Sequence, residues 1–156
     1  MIDRRPVTAA FAQLLATLTT RPVGTMTVPL DPTSGQPVPP PYTLLYSLDQ
    51  DNDDGTLADT GNCTVATYQA TFVSGPAPGK PDSRGTLEQV EWLADKARAV
   101  TARPADGSPG FAHALTIPGG VTCYHRETRD TGAMSDQNDA IISYVIRFRL
   151  YLEATA

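Results

Sequence analysis

The segment ISYVIRFRLYLE (residues 142–153) alternates apolar and polar side chains along its whole length. Successive side chains of a β-strand point to opposite faces, so this period of two predicts one long strand with two different faces. The mixed face carries Arg147, Arg149 and Tyr151. The apolar face consists of Ile142, Tyr144, Ile146, Phe148, Leu150 and Leu152. A strand of this kind belongs in an antiparallel sheet that is covered on one face.

Other segments of the chain predict partners for this strand. Residues 42–48 and 63–73 are rich in Thr, Val, Tyr and Phe, which favour strands. Residues 111–117 and 121–126 flank Pro118-Gly119-Gly120, a turn signal that predicts a hairpin. We interpret residues 49–62 as an acidic loop and residues 128–139 as a polar loop.

Two amphipathic helices are predicted. The first begins after Asp3, a good N-cap residue, and ends near Thr20. Its apolar stripe is Val7, Phe11, Leu14, Leu15 and Leu18. The second runs from Thr86 to about Ala102, and Thr86 with Gln89 matches a capping box. Leu87, Val90, Ala94 and Ala97 share its apolar face, with Leu93 beside them.

The fold class that follows is α+β: an antiparallel or mixed sheet with two helices packed on one face. Residues 29–41 and 74–85 are rich in proline and glycine and predict long loops, the first of them a stiff, extended connector. We find no internal repeat, so residues 1–156 are expected to form a single domain.

Composition argues against several classes of protein. The chain has 156 residues and a formal net charge of −5, which disfavours binding of nucleic acid through phosphate neutralisation. No apolar run approaches the roughly 20 residues that span a bilayer, and no secretory signal precedes the first helix. Cys63 and Cys123 are too few for a disulfide framework, and we expect them to be reduced thiols.

Candidate chemical sites are few. Cys123 and His125 lie two residues apart on a predicted strand and would share a face, so a Cys–His nucleophile pair is one hypothesis. A thiol and a surface imidazole without catalytic role is the alternative that we favour. The acidic run from Asp49 to Gly55 is similar to a calcium loop, but it lacks the required Gly and Glu positions. We expect no metal and no cofactor.

A protein interface is the better-supported hypothesis. Trp92 lies off the apolar stripe of the second helix, where it is either a partly exposed ring covered by the proline-rich connector or an anchor for a partner. Arg147, Arg149 and Tyr151 on the mixed face of the last strand suggest the same role. We therefore assign these four residues to a candidate interface.

Several segments, in chain order, resemble the tail terminator (tail completion) proteins of long-tailed, non-contractile bacteriophages, most of all those of actinobacterial phages. The more specific ones are EQVEWLADKAR on the second helix and RFRLYL near the end. The full set is MIDRR at 1–5, PYTLLY at 41–46, GTLAD at 55–59 before the Tyr68-Gln69 strand, EQVEWLADKAR at 88–98 and RFRLYL at 147–152.

This resemblance implies a non-enzymatic subunit of a homohexameric ring at the head-proximal end of the phage tail. The ring would stop polymerisation of the tail tube protein, join the head-closure or neck protein, and let genome DNA pass without specific binding. It would be assembled in the host cytoplasm and then be part of the virion. The loops at 74–85 and 128–139 are candidate contacts with the tube or a neighbouring subunit. An acidic loop facing the channel would consist of Asp49, Asp51, Asp53 and Asp54.

Two alternatives remain open. The chain could be another tail or neck component, either a tube subunit or a head-closure protein. It could also be a small enzyme that uses Cys123 and His125, which the motif search disfavours.

Overall fold

The structure is a computed structural model that describes residues 1–53, 63–136 and 140–154. Within these residues, two helices and five strands succeed one another in chain order, with a short 3₁₀ turn at Ala99–Thr101 after the second helix. Their bounds are α1 Arg4–Thr19, β1 Val23–Thr25, β2 Tyr42–Asp53, β3 Cys63–Ser74, α2 Leu87–Arg98, β4 Val121–Ser135 and β5 Ile142–Ala154.

The strands form one sheet in the order β1-β2-β3-β5-β4. β1 pairs with β2 in parallel, and the other three pairings are antiparallel, so the sheet is mixed. The α+β fold class is confirmed. β5 lies between β3 and β4, so both of its edges are paired, and its apolar face is turned toward the helices that cover it.

The core lies between one face of the sheet and the two helices. Phe11 of α1 contacts the rings of Tyr68 and Phe148, with 5.2 Å between centroids in each case. From the sheet, the buried residues include Ala66, Tyr68, Ala70 and Phe72 of β3 and Ile146, Phe148, Leu150 and Leu152 of β5. For β5, this is the face that the alternation predicts.

The first helix begins and ends as predicted. Asp3 is its N-cap and accepts a hydrogen bond from the backbone N–H of Arg5 at 3.0 Å. Val7, Phe11, Leu14 and Leu15 are buried along its stripe. Arg4 reaches the sheet, and its guanidinium donates to the carbonyl oxygens of Leu48 at 2.6 Å and Thr67 at 2.5 Å.

The contacts of Arg4 lie beside an irregularity in the sheet. The register between β2 and β3 shifts between Ser47 and Gln50. A bulge interrupts the ladder and leaves backbone groups without their strand partners. Arg4 therefore supplies donors where the bulge removes them, and it ties the start of α1 to the middle of the sheet.

The second helix is capped differently from the predicted box. Thr86 Oγ1 accepts from the N–H of Gln89 at 3.2 Å, as expected. The N–H of Thr86, however, donates to Ser74 Oγ at 3.0 Å, and Ser74 Oγ donates to Gln89 Oε1 at 2.5 Å. The buried Ser74 at the end of β3 takes the place of the reciprocal bond, because it lies between the two groups.

The helix α2 also ends earlier than predicted, at Arg98, and Leu87 is exposed rather than part of the apolar face. Leu87 is the first residue of the helix and lies one turn before Val90, beyond the reach of the sheet core. Val90, Leu93, Ala94 and Ala97 are buried as expected.

The predicted strand at 111–117 is wrong. Only one isolated bridge, between Ile117 and Val121, replaces the hairpin. Instead, Arg126 of β4 donates to the carbonyl oxygen of His113 at 2.8 Å and to that of Val100 at 3.0 Å. The guanidinium groups of Arg126 and Arg103 each lie over the Phe111 ring, 4.3 Å from its centroid. The Arg126 side chain thus binds a backbone carbonyl oxygen in the segment that a hairpin would pair strand to strand.

Three further segments differ from the sequence interpretation, and a fourth, residues 23–25, had no interpretation. Residues 49–53 continue β2, and residues 128–135 continue β4, so neither is a loop, because each has a neighbouring strand that pairs with its backbone. Residues 23–25 form the short β1, in which a Cβ on Gly24 would collide with the carbonyl oxygen of Thr27. Residues 29–38 fold back on themselves through a bridge between Leu30 and Pro37 rather than extend.

Candidate interaction surfaces

The face of the sheet opposite the helices is open and carries a groove. Alternation along β5 places Arg147 and Arg149 there, and cross-strand pairing places Thr67 of β3 beside Arg149. The groove has a volume of about 560 Å³. Its lining residues are Asp49, Asp51, Thr67, Glu127, Thr128, Arg129, Arg147 and Arg149. We call this feature the open-face groove.

The two walls of the open-face groove carry opposite charge. Asp49 and Asp51 come from β2, and Arg147 and Arg149 come from β5. Arg129 of β4 lies directly across from Arg147 in the strand register. Like charges at directly opposed positions destabilise a strand pair, so this corner of the sheet favours an anionic neighbour.

Glu127 organises the polar side chains at the β4 end of the groove. Its carboxylate accepts from Tyr151 Oη at 3.1 Å and lies 3.8 Å from Arg149 Nη1. His125 Nε2 is 3.3 Å from the same carboxylate, and its ring is 5.0 Å from that of Tyr151. Partial burial, and then the hydrogen bond to Glu127, raise the pKa of the Tyr151 phenol, which therefore stays a neutral donor.

Trp92 lies on the other side of the molecule. Its helix turns Val90, Leu93, Ala94 and Ala97 to the core, and the Trp92 side chain is 43% exposed on the outer face. Lys96 one turn later holds its ammonium group 5.7 Å from the indole centroid. The structure thus groups Arg147, Arg149 and Tyr151 on one surface and separates Trp92 from them.

The acidic candidates fall into two sets. Asp49 and Asp51 lie on β2 and line the open-face groove. Asp53 is the last residue of β2, and Asp54 lies outside the described residues. Because 49–53 belong to a strand, the beginning of the supposed calcium loop has strand and not loop geometry. Within the described ranges, no group of three or more His, Cys, Asp or Glu side chains could hold a metal ion.

The hypothesis that Cys123 and His125 share a face is wrong. The register of β4 against β5 shifts between these two residues, so that Cys123 opposes Leu152 and His125 opposes Tyr151. Cys123 packs against the core cluster, while His125 lies on the open face. Burial raises the pKa of the Cys123 thiol, which disfavours the nucleophilic thiolate.

Sequence reasoning missed Glu127 and Arg129, which contribute to the groove, because the predicted strand ends at residue 126 and the predicted loop begins at residue 128. Their spacing of two, in phase with His125, was the signal that could have extended the strand. Thr67 was placed on the correct strand but not recognised as the floor of a groove, since that requires the register between β3 and β5.

The fold is shared with a solved structure. No protein-family model matches the sequence, and no curated protein is significantly similar to it. A chain in the structure described as the virion of a native gene transfer agent particle has a TM-score of 0.55 and 19% sequence identity. The similarity covers 94% of this chain and 94% of that one. At this identity the match shows a common fold. In the described part of the chain, no helix is long and apolar enough to cross a membrane.

Proposed function

We propose that this chain is a virion structural protein that forms a ring at the head-proximal end of a phage tail tube. The observation that carries the proposal is the end-to-end fold match to a chain of a gene transfer agent virion, over 94% of both chains. The sequence segments similar to tail terminator proteins, above all residues 88–98 and 147–152, support the same role.

The proposed mechanism is a match of shape and charge and involves no catalysis. A ring requires head-to-tail contacts between two different surfaces of the same subunit. The open-face groove and the exposed outer side of α2 are two such surfaces, with the sheet core between them. A homohexamer closed in this way would end tube polymerisation by binding the tube protein on one rim. Its other rim would bind the head-closure or neck protein.

The net charge of −5 suits a ring through which the genome passes. Like charge weakens contacts with phosphates, so DNA would slide through without specific binding. We propose that Asp53 and Asp54 of the acidic set contribute to the channel side of the ring, whereas Asp49 and Asp51 line the open-face groove. The protein would be assembled in the host cytoplasm and end up in the virion.

One experiment separates this function from that of a tube subunit or a head-closure protein. The purified chain is added to polymerising tail tube protein, and the products are measured by electron microscopy. A terminator caps tubes at one end, shortens them in proportion to its concentration, and forms no tubes alone. A tube subunit would form long tubes unaided, and a head-closure protein would leave tube length unchanged. Either of these results would contradict the proposal.

A further inference from the structure

The open-face groove holds two arginines whose charge is not balanced within the described chain. Arg149 has Glu127 as its partner, 3.8 Å away. Arg129 and Arg147 form neither an ion pair nor a side-chain hydrogen bond with any described residue, and both are exposed. They also oppose each other in the strand register. Carboxylates from outside would relieve this repulsion.

The outer side of α2 presents such carboxylates. Glu88 and Glu91 are exposed and have no ion-pair partner among residues 1–53, 63–136 and 140–154. At spacings of three and four they share one helix side with the exposed Trp92 and with Asp95. Tryptophan and arginine are the residues most enriched at the energetic centres of protein interfaces.

The dimensions of the two surfaces agree. α2 has 12 residues, which gives a length of about 18 Å. The open-face groove crosses β2, β3, β5 and β4, three strand spacings or about 14 Å. A single helix laid across the strands therefore covers the groove from one wall to the other.

The charge order agrees as well and fixes a direction. Along α2, Lys96 follows Glu88 and Glu91 by about 7–12 Å. Across the sheet, β2 with Asp49 and Asp51 lies two strand spacings, or about 10 Å, from Arg147 on β5. A helix whose first turns lie over β5 and β4 brings its glutamates to the arginines and its lysine to the aspartates.

We propose that α2 of one copy docks across the open-face groove of the next copy, with its N-terminal turns over β4 and β5. This inference rests on the proposed ring and names the contact that closes it. The two surfaces lie on opposite sides of each subunit, so the contact is head-to-tail, and every copy both offers a helix and receives one.

Two charge-reversal variants test this contact. The sheet variant combines Arg129→Glu with Arg147→Glu, and the helix variant combines Glu88→Lys with Glu91→Lys. The matched control is Arg21→Glu, an exposed arginine outside both surfaces. Circular dichroism establishes that each variant is folded. Assembly is then measured in solution by native mass spectrometry and on tail tubes by end-capping.

Each reversed variant alone should assemble about tenfold or more less efficiently than the unmodified chain, because like charges meet at every contact. An equimolar mixture of the two should assemble again. When the two variants alternate around a ring, each reversed helix docks on a reversed groove, and each unmodified helix docks on an unmodified groove, so every contact joins opposite charges. The control should assemble normally.

The possible failures are distinguishable. Suppose that the unmodified chain forms rings or caps tubes. If both reversed variants then do so equally well, or if their mixture stays unassembled, the proposed contact is wrong while the proposed function stands. If the unmodified chain neither assembles in solution nor caps tubes, both the proposed function and this contact are contradicted.

Discussion

At the scale of single residues, three arginines connect separate parts of the chain. Arg4 joins α1 to β2 and β3, Arg98 joins α2 to β4 and β5, and Arg126 joins β4 to the segment after α2. Arg126 is only 6% exposed, and its hydrogen bonds go to carbonyl oxygens. A planar guanidinium with five donors suits such sites better than an ammonium group does.

Replacement of Arg4 by methionine should lower the free energy of unfolding by about 1.5–3 kcal/mol, because two charge-assisted hydrogen bonds beside the β2 bulge are lost. Urea denaturation measures the change. Arg5→Met is the matched control, since the Arg5 side chain is 90% exposed and pairs with the nearby Asp3; its effect should be clearly smaller than that of Arg4→Met. Equal effects of the two variants would show that the contacts of Arg4 with the sheet contribute little.

Asp130 should make stability depend on pH. Hydrogen bonds from Arg98 lower the pKa of this carboxyl from its ordinary value of 3.8. A lowered pKa in the folded state gives stability that is present above the unfolded pKa and disappears as the pH falls through the folded pKa.

Asp130→Asn should therefore cost about 0.5–1 kcal/mol near neutral pH, the upper range for a partly exposed pair. The difference from the unmodified protein should shrink as the pH falls from about 4 through the lowered folded-state pKa of Asp130, because below that pKa both proteins carry a neutral side chain at this position. Urea denaturation at several pH values measures it. A difference that is constant down to about pH 2 would mean that the carboxylate charge is not the cause.

At the scale of elements, the beginning of α2 depends on the end of β3. Ser74 is buried and binds both Thr86 N–H and the Gln89 side chain. Ser74→Ala should destabilise the protein by about 1–3 kcal/mol, since it leaves two polar groups unpaired. Thermal unfolding measures this loss.

The control for Ser74 is Thr17→Ala, which removes a hydroxyl from the exposed side of α1, where Thr17 Oγ1 donates to the carbonyl oxygen of Gln13. It should be neutral or slightly stabilising, because alanine has the higher helix propensity. If Ser74→Ala were equally neutral, the cap would contribute nothing to stability.

The elements also show what local sequence can and cannot predict. α1 and β5 were predictable because their apolar periods are long and match the core they cover. The face shared by Cys123 and His125 was not, since one extra residue in β4 reverses the alternation and nothing in the local sequence marks it. Residues 111–117 do not form the predicted strand, because Arg126 binds the carbonyl oxygens of His113 and Val100. Val100 lies far from Arg126 in the sequence, so local sequence could not show this contact.

The open-face groove was only half predictable. Alternation placed Arg147 and Arg149 together on one face of β5. Their neighbours Asp51 and Arg129 come from β2 and β4, and only the strand order and register bring them alongside. A candidate surface built from several strands therefore requires the fold before its charge pattern can be seen.

At the scale of the whole molecule, two exposed surfaces face in opposite directions, and Trp92 belongs to the one on α2. Trp92→Ala should change the free energy of unfolding by only about 0.5–1 kcal/mol, because Trp92 is 43% exposed and is not one of the buried core residues. It should, however, strongly reduce assembly in sedimentation velocity experiments or tube capping.

Leu30→Ala is the matched control for Trp92, since Leu30 is 59% exposed and lies outside both surfaces. Assembly of this variant should equal that of the unmodified chain. If Trp92→Ala also assembled normally, the outer side of α2 would not be an anchor.

The proposed role is tested most directly by tail length. Tails assembled in cells that lack this chain are measured by electron microscopy and compared with tails assembled in its presence. A ring that ends polymerisation predicts, in its absence, tubes of variable and excessive length that are not joined to heads. Tails of normal length attached to filled heads in the absence of the chain would contradict this role.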